Sequence, residues 1–325
     1  MSKKRIEYLD VARGIAIILV IIGHIFKDGV LWRFIYSFHM PLFIIVSGYF
    51  YKNRRLKDEF IILFKKFFLP MIIILFVSFM IAYLSYYNLS DAFIKTLKTI
   101  VIGFNYQSRI DYQCLPVEVL WFIYFLVIMR LLFLINKKIA KDDKTLLLLI
   151  VAVEMLIGLF LAAYGYWLPW SVDIVLVCMS FYYFGYLLKK YNLLNRIMNN
   201  NKFLLFLCVI WVIGICTGGF ELAIRELSIL SYISALAGTL VVFKISMIIC
   251  NKKDKISKFL SWCGRNSLYI LFAHFIEIKF LNILFIRDNS LLMQIYLSII
   301  MCSVAILFTY VFCSLKEKWK LVVSK

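Results

Sequence analysis

The sequence lacks the cysteine spacing that builds disulfide frameworks and zinc sites. Its eight cysteines are scattered, and no two of them form a Cys-x-x-Cys pair. Most lie within apolar runs, where cysteine behaves as a small hydrophobic residue. The pattern therefore indicates neither a disulfide-stapled domain nor a structural zinc site.

Polar residues are also scarce. Hydrophobic residues make up 64% of the 325 residues, and the mean hydropathy is +0.90, whereas soluble domains are about 45–50% apolar. This excludes a soluble fold, because a domain of this size would leave much of that surface facing water. Since apolar runs recur from one end to the other, the sequence predicts an all-α, polytopic membrane protein.

No small-residue cleavage site follows the first apolar run. The opening "MSKKRIEYLD" resembles the basic start of a signal peptide. However, the run that follows contains charged residues, which a removed segment has no reason to carry. We therefore expect this run to be retained as the first span.

Ten runs have the length of a membrane span, which is about 20 residues. They are 9–28, 34–51, 68–88, 117–136, 145–164, 171–188, 203–219, 228–250, 267–286 and 291–315. With the N-terminus inside, 26 of the 37 Lys and Arg residues fall in cytoplasmic segments and 7 in outer ones. The positive-inside rule then places both termini in the cytoplasm. The net charge of +19 reflects this topology and not nucleic-acid binding.

The connections suggest one membrane domain covering 1–325, because no internal repeat or low-complexity linker interrupts the spans. In the longest outer connection, "SDAFIKTLKTIVIGF" has apolar residues at helical spacing and predicts a helix along the outer interface. "FIILFKKFF", before Pro70, suggests a similar helix on the inner face.

The first span carries three ionisable residues, Asp10, Arg13 and His24. At 100° per residue, Arg13 and His24 differ by about 20° around a helix and are about 16 Å apart along it. Arg13 alone is explained by snorkelling to the inner boundary. Three such residues on one stripe favour a functional lining, because ionisable groups in spans are costly unless they face a wet or protein-lined interior.

The second span places His39 near the outer boundary as well, just before Pro41, which either starts or kinks a helix. Two histidines across one hairpin favour an acid–base site, because histidine titrates near neutrality. A metal site would need a third ligand. His274 is available, but its expected depth is more central and no carboxylate pattern completes a site, so no metal is expected.

Five motifs in order resemble the membrane acyltransferase 3 family, which includes fucose 4-O-acetylase-like and polysaccharide O-acetyltransferases. The first is "YLDVARGIAIILVIIGH", with Arg13 and His24 at the family's spacing, and the second is "FHMPLFIIVSGYF" (38–50). The others are "LWFIYFLVIMRLL" (120–132), "FYYFGYLLKKY" (181–191) and "CGRNSLYILFAH" (263–274). The resemblance covers nearly the whole chain.

The resemblance implies an O-acetyltransferase of the cell (plasma or inner) membrane. Its donor would be cytoplasmic acetyl-CoA, with no permanently bound cofactor. Its acceptor would be a hydroxyl of an envelope or capsular glycan, or of a lipid-linked precursor. The expected partners are therefore these substrates and membrane lipids, while the oligomeric state stays open.

The resemblance also suggests roles for individual residues. His24 would be the general base, with His39 orienting it or assisting; an acetyl-His24 intermediate is the alternative. The CoA phosphates need a cationic inner mouth, for which the candidates are Arg13, Arg54, Arg55, Lys65 and Lys66. The expected substrate or channel residues are Asp10, Trp121, Ser47 and His274.

Several of these residues have a second interpretation. Ser47 is either a nucleophile or, beside Gly48, a small residue that permits close helix packing. His274 either positions the acyl group or is a hydrogen-bonded core histidine. Within the spans, Glu154 and Asp173 either line the channel or pair with Arg130 or Lys244.

Two departures and one rival class qualify the resemblance. The sequence has no fused esterase-like domain, and "LPVEVLWFIY" does not match the longer "SLSVEEQF"-type motif, so Glu118 is not given that motif's role. The rival is a secondary transporter of a glycan precursor. It predicts Gly- or Pro-broken spans in matched halves, yet the four prolines show no such pairing. A purely structural membrane protein would leave the histidine pair unexplained.

Overall fold

The computed structural model describes residues 6–26, 28–86, 88–103, 113–115, 118–217, 222, 228–284 and 291–323. Within these ranges every regular element is helical, and none is a strand. The predicted all-α fold is therefore confirmed. In chain order the α-helices are α1 (Glu7–Ile25), α2 (Gly29–Tyr36), α3 (His39–Tyr49), α4 (Leu56–Tyr86), α5 (Leu89–Ile102), α6 (Glu118–Ile139), α7 (Lys144–Ala163), α8 (Val172–Lys190), α9 (Leu193–Met198), α10 (Asn201–Thr217), α11 (Ile229–Lys252), α12 (Lys255–Arg265), α13 (Ser267–Leu284) and α14 (Leu291–Val323).

Eight helical segments of the described chain are long and apolar enough to cross a membrane, so the chain is a multi-pass membrane protein. They are Glu7–Ile25, Gly29–Tyr49, Leu56–Leu84, Leu120–Ile139, Lys144–Ala163, Pro169–Lys190, Ile229–Lys252 and Leu291–Leu315. The predicted span 203–219 corresponds to a shorter apolar helix, Asn201–Cys216. The predicted span 267–286 begins with α13 and ends outside the described residues.

Apolar side chains cover the outward faces of several spans. On α7, for example, Leu148, Leu149, Leu156 and Phe160 are all exposed. A continuous exposed apolar face is unusual for a protein in water. It is the surface that lipid chains cover in a membrane.

Two helices differ from those predicted from the sequence. The segment "FIILFKKFF" is not a separate interfacial helix, because α4 begins at Leu56 and continues unbroken through Pro70. The second predicted span is divided at Ser37 and Phe38 into α2 and α3. Pro41 lies in the first turn of α3, where its missing N–H leaves no helical hydrogen bond unmade. The helix expected after residue 89 is present as α5.

The helices cluster into two compact units. So far as they are described, the first comprises Met1–Leu42, Asn201–Gly219 and Ile233–Lys325, and the second comprises Phe43–Asn200 and Phe220–Tyr232. In the first unit α1 packs against α12, α13 and α14. In the second unit α8 packs against α6 and α7. The three histidines all belong to the first unit.

Candidate active site

His24 lies in the last turn of α1, and its side chain is exposed. The residue before it is Gly23, where an added Cβ would lie 3.1 Å from side-chain atoms of Ile35 and Tyr36. The small residue therefore lets α1 and α2 approach closely at the level of His24. This approach brings His24 to the break between α2 and α3.

His39 is the first residue of α3 and is buried. Its Nδ1 atom lies 2.7 Å from the carbonyl oxygen of Ile35, one turn earlier. Because a carbonyl oxygen only accepts, Nδ1 must carry the hydrogen and donate. The ring also packs edge-on against Tyr36, with centroids 4.9 Å apart. His39 is thus held in one orientation.

A buried hydrogen bond fixes the turn that presents His39. Trp211 Nε1 on α10 donates to Ser37 Oγ over 2.7 Å, and Ser37 Oγ donates to the Phe34 carbonyl oxygen over 2.7 Å. The indole also packs against Phe34 and Phe38, with ring centroids 5.2 and 5.4 Å away. Hydrogen bonds and ring packing therefore hold the break in the second span in place.

His274, on α13, joins the same cluster. Its ring centroid is 5.4 Å from that of His24, and His24 lies within electrostatic range of both His39 and His274. His274 therefore lies beside His24, although the sequence predicts a more central depth for His274. The side chain of His274 is fully buried, whereas that of His24 is exposed.

Arg13 forms an ion pair with Asp10 one turn earlier on α1. The Asp10 side chain is only 3% exposed, and that of Arg13 is 25% exposed. Arg13 Nε is buried and has no hydrogen-bond partner among the residues that the structure describes. This pairing departs from simple snorkelling, in which the guanidinium would extend into the boundary water. Gly264 of α12 lies directly against the Asp10 backbone.

In the second unit a buried carboxylate joins two arginines. Glu59 accepts from Arg54 over 2.6 Å and also pairs with Arg130. The Glu59 side chain is 3% exposed. The sequence analysis missed both Glu59 and this role of Arg130; an arginine inside an apolar span was the available signal. Of the two interpretations left open for Glu154, the pairing with Arg130 is not found, because Glu154 accepts from the Asn136 amide over 2.9 Å and Arg130 pairs with Glu59.

The other candidate donor-binding cations lie at the surface. Arg55 is well exposed and pairs with Asp58 over 2.8 Å, and this hydrogen bond raises the pKa of Arg55. Lys65 and Lys66 are exposed on α4. The five candidate cations are therefore three ion-paired arginines and two exposed lysines.

The carboxylate of Asp173, the other span residue with two interpretations, accepts a hydrogen bond from the backbone N–H of Leu168.

Ser47 and Trp121 lie in apolar helix packing of the second unit. Ser47 is within hydrogen-bond reach of the Tyr182 hydroxyl, and a Cβ on Gly48 would overlap the Tyr182 carbonyl oxygen. This geometry favours close packing over a nucleophilic role for Ser47. Trp121 packs against Phe122 and Phe125, with ring centroids 5.8 Å away in both cases.

The histidine cluster contains the type of side chain that most often transfers protons in enzymes. Across the described ranges, no three His, Cys, Asp or Glu side chains converge to hold a metal ion. An exposed imidazole beside two buried ones is placed to take a proton from a bound hydroxyl and return it. These features make the histidine cluster the candidate active site of this membrane protein.

Comparison with known families identifies the enzyme class. The model of the acyltransferase domain, Acyl_transf_3, matches residues 6–314. The chain therefore belongs to the acyltransferase 3 family, and it is a membrane acyltransferase. This sets aside the transporter alternative. No curated protein and no solved structure matches the chain significantly.

Proposed function

We propose that this acyltransferase moves an acetyl group from cytoplasmic acetyl-CoA to a hydroxyl of a cell-envelope or capsular glycan, or of its lipid-linked precursor. Its location would be the plasma or inner membrane. The observation that carries the proposal is the exposed His24 ring beside the two buried histidines. Such an arrangement suits a reaction that begins with removal of a hydroxyl proton.

In the proposed reaction His24 removes the proton of the acceptor hydroxyl as its oxygen attacks the thioester carbonyl. The carbon–sulfur bond then breaks, and the CoA thiolate leaves as the thiol by taking this proton from the His24 imidazolium. His39, fixed by Ile35 and packed against Tyr36, orients the acceptor or His24. The alternative chemistry is attack by His24 itself, which gives an acetyl-His24 intermediate and free CoA before the acceptor reacts.

The donor phosphates would be held by the candidate cations. Arg13 and Arg54 are each fixed by a buried carboxylate, Asp10 and Glu59 respectively. An arginine that is already oriented loses less side-chain entropy when it binds a phosphate, and it keeps further N–H donors for it. Arg55, Lys65 and Lys66 are exposed and would add positive potential that attracts the donor.

The test is acyl transfer by the purified protein in lipid nanodiscs, with radiolabelled acetyl-CoA and envelope glycan fractions. His24→Asn keeps much of the shape of the side chain but cannot accept a proton at neutral pH. We expect it to lose at least about 100-fold in rate. Transfer at the native rate by His24→Asn would contradict the assignment of His24 as base or nucleophile.

Two further measurements identify the substrate and the route. NMR of envelope glycans from intact and deletion strains should show acetyl groups that are lost on deletion. Unchanged glycan acetylation would contradict the proposed acceptor class. Mass spectrometry after incubation with acetyl-CoA alone separates the two routes, because a single acetyl on His24 appears only in the covalent one.

A further inference from the structure

His274 is a buried histidine whose two ring nitrogens differ in their hydrogen bonding within the described part of the chain. Its Nδ1 atom lies 3.3 Å from the Ile270 carbonyl oxygen in the preceding turn. Because that oxygen only accepts, Nδ1 must carry the hydrogen, and in the neutral ring Nε2 then has a lone pair. Within the described structure, Nε2 of His274 is buried and has no hydrogen-bond partner.

The His24 ring stands beside this unbound nitrogen. The two ring centroids are 5.4 Å apart and the planes are inclined by 32°. A ring nitrogen lies about 1.1 Å from its centroid, so two nitrogens that pointed directly at each other across the 5.4 Å between centroids would be about 3.2 Å apart, which is a hydrogen-bond distance. The His24 residue is exposed, whereas the His274 side chain is enclosed. A small rotation of His24 would therefore satisfy the buried nitrogen.

We propose that His274 is a positioning residue, whose Nε2 accepts a hydrogen bond from a ring N–H of His24 and so fixes the tautomer of His24. This inference rests on the proposed role of His24 as the reacting imidazole. With one nitrogen held as the donor, the other nitrogen of His24 carries the lone pair and faces the acceptor hydroxyl. Reacting groups are commonly oriented in this way by a third side chain.

The proton balance leaves His274 unchanged. In the general-base route His24 gains the hydroxyl proton on the ring nitrogen that faces the acceptor and keeps the hydrogen bond to His274 through the other nitrogen. That proton leaves with the CoA thiol. The Nδ1–H of His274 continues to donate to the Ile270 carbonyl oxygen throughout. His274 therefore orients the base without exchanging a proton with substrate.

Two substitutions separate positioning from packing. His274→Phe keeps a planar ring but has no acceptor, while His274→Gln places an amide oxygen near the Nε2 position. For transfer in nanodiscs we expect the Phe variant to lose about 10- to 100-fold in kcat with little change in KM, and the Gln variant to recover most of the loss. Tyr269→Phe, on the same helix against Phe312, is the matched control and should keep its activity. Equal losses in the Phe and Gln variants would overturn the proposal.

A second readout does not depend on activity. The chain has only three histidines, so nitrogen NMR of protein labelled in histidine gives three pairs of ring-nitrogen signals, and the two signals of a pair report the tautomer of that ring. In the wild type we expect His24 to be in one tautomer, and in His274→Phe to average between two. If the Phe variant does not fold, the Gln variant should still show the fixed tautomer. Unchanged His24 signals in His274→Phe, or an averaged tautomer in the wild type, would overturn the proposal.

A wild-type protein that transfers no acyl group would instead contradict the proposed function. The NMR measurement of the His24 tautomer would still decide whether the His24–His274 hydrogen bond forms.

Discussion

The Leu260 backbone on α12 lies so close to Gly14 on α1 that a Cβ at Gly14 would overlap the Leu260 carbonyl oxygen. Gly264 meets the Asp10 carbonyl oxygen in the same way. In each contact the glycine of one helix meets the backbone of the other, so that α12 packs closely on α1 beside the Asp10–Arg13 ion pair. Approach at this distance needs glycine, because a backbone neighbour cannot turn aside as a side chain can.

Gly14→Ala and Gly264→Ala should each destabilise the protein by about 1–3 kcal/mol, because the added methyl group forces α1 and α12 apart. The measurement is the thermal unfolding midpoint in detergent or nanodiscs. Ala152→Leu is the control: it adds more volume, but at an exposed position on α7. Unfolding midpoints that stay at the wild-type value in both glycine variants would contradict the close packing.

The Trp211–Ser37 hydrogen bond should be measurable by a double-mutant cycle. Trp211→Phe keeps an aromatic ring between Phe34 and Phe38 but removes the donor, and Ser37→Ala removes the acceptor. We expect a coupling of about 0.5–1.5 kcal/mol in the free energy of unfolding. Both single variants should also reduce activity, because the bond fixes the turn before His39. Additive effects of the two substitutions would show that the bond contributes nothing.

Glu59 should be important for stability in a way that Asp58 is not. Glu59→Ala leaves Arg54 and Arg130 without their shared carboxylate. We expect a loss of about 1–3 kcal/mol, less than for fully buried pairs because both arginines are about one-quarter exposed. Asp58→Asn, in an exposed pair, should change stability by less than about 0.5 kcal/mol. Equal effects of the two variants would contradict the buried character of the cluster.

The features predicted best from the sequence are those that depend on residues close together in the chain. Hydrophobic runs predicted the spans and the helical fold, because a run of about 20 apolar residues is sufficient evidence for a span. The spacing of Arg13 and His24 also followed from helix geometry alone. Pairwise contacts were harder to predict, since depth counted along the chain ignores tilt, breaks and kinks. Hence His274 was placed apart from His24, and Glu59 was not recognised as the partner of Arg130.

The accessibility of the cysteines is a second property that the sequence alone does not predict. Cys114 and Cys263 lie in connections that the sequence assigns to opposite sides of the membrane, which suggests them as labelling sites. Both are buried, and burial raises the pKa of the Cys263 thiol to about 12. Because the thiolate is the reactive form, weak labelling of Cys263 would say nothing about its side of the membrane.

Topology is therefore better tested with cysteines introduced at exposed positions in a cysteine-free background. Ser90, at the start of α5, is exposed in a predicted outer segment, and Asn195, on α9, is exposed in a predicted cytoplasmic one. In intact cells a membrane-impermeant maleimide should label Ser90→Cys, and it should label Asn195→Cys only after permeabilisation. Labelling of Asn195→Cys in intact cells would overturn the predicted orientation.

The donor site should be visible as ligand-induced stabilisation. A ligand that binds only the folded state raises its stability by RT ln(1 + [L]/Kd), about 2.7 kcal/mol at 100 times Kd. CoA and acetyl-CoA should therefore raise the thermal unfolding midpoint of the purified protein. Arg13→Gln and Arg54→Gln should reduce this increase, because each removes a charge that is held in place by a buried carboxylate.

The matched control for these variants is Arg196→Gln. Arg196 is exposed on α9 in a segment predicted to face the cytoplasm, and it is not among the candidate donor residues. Its variant loses the same charge and should respond to CoA as the wild type does. Variants must be compared by the shift that CoA produces and not by the absolute midpoint, since loss of an ion pair also lowers stability without ligand. An arginine whose variant shows the full CoA shift does not bind the donor, whatever its effect on activity.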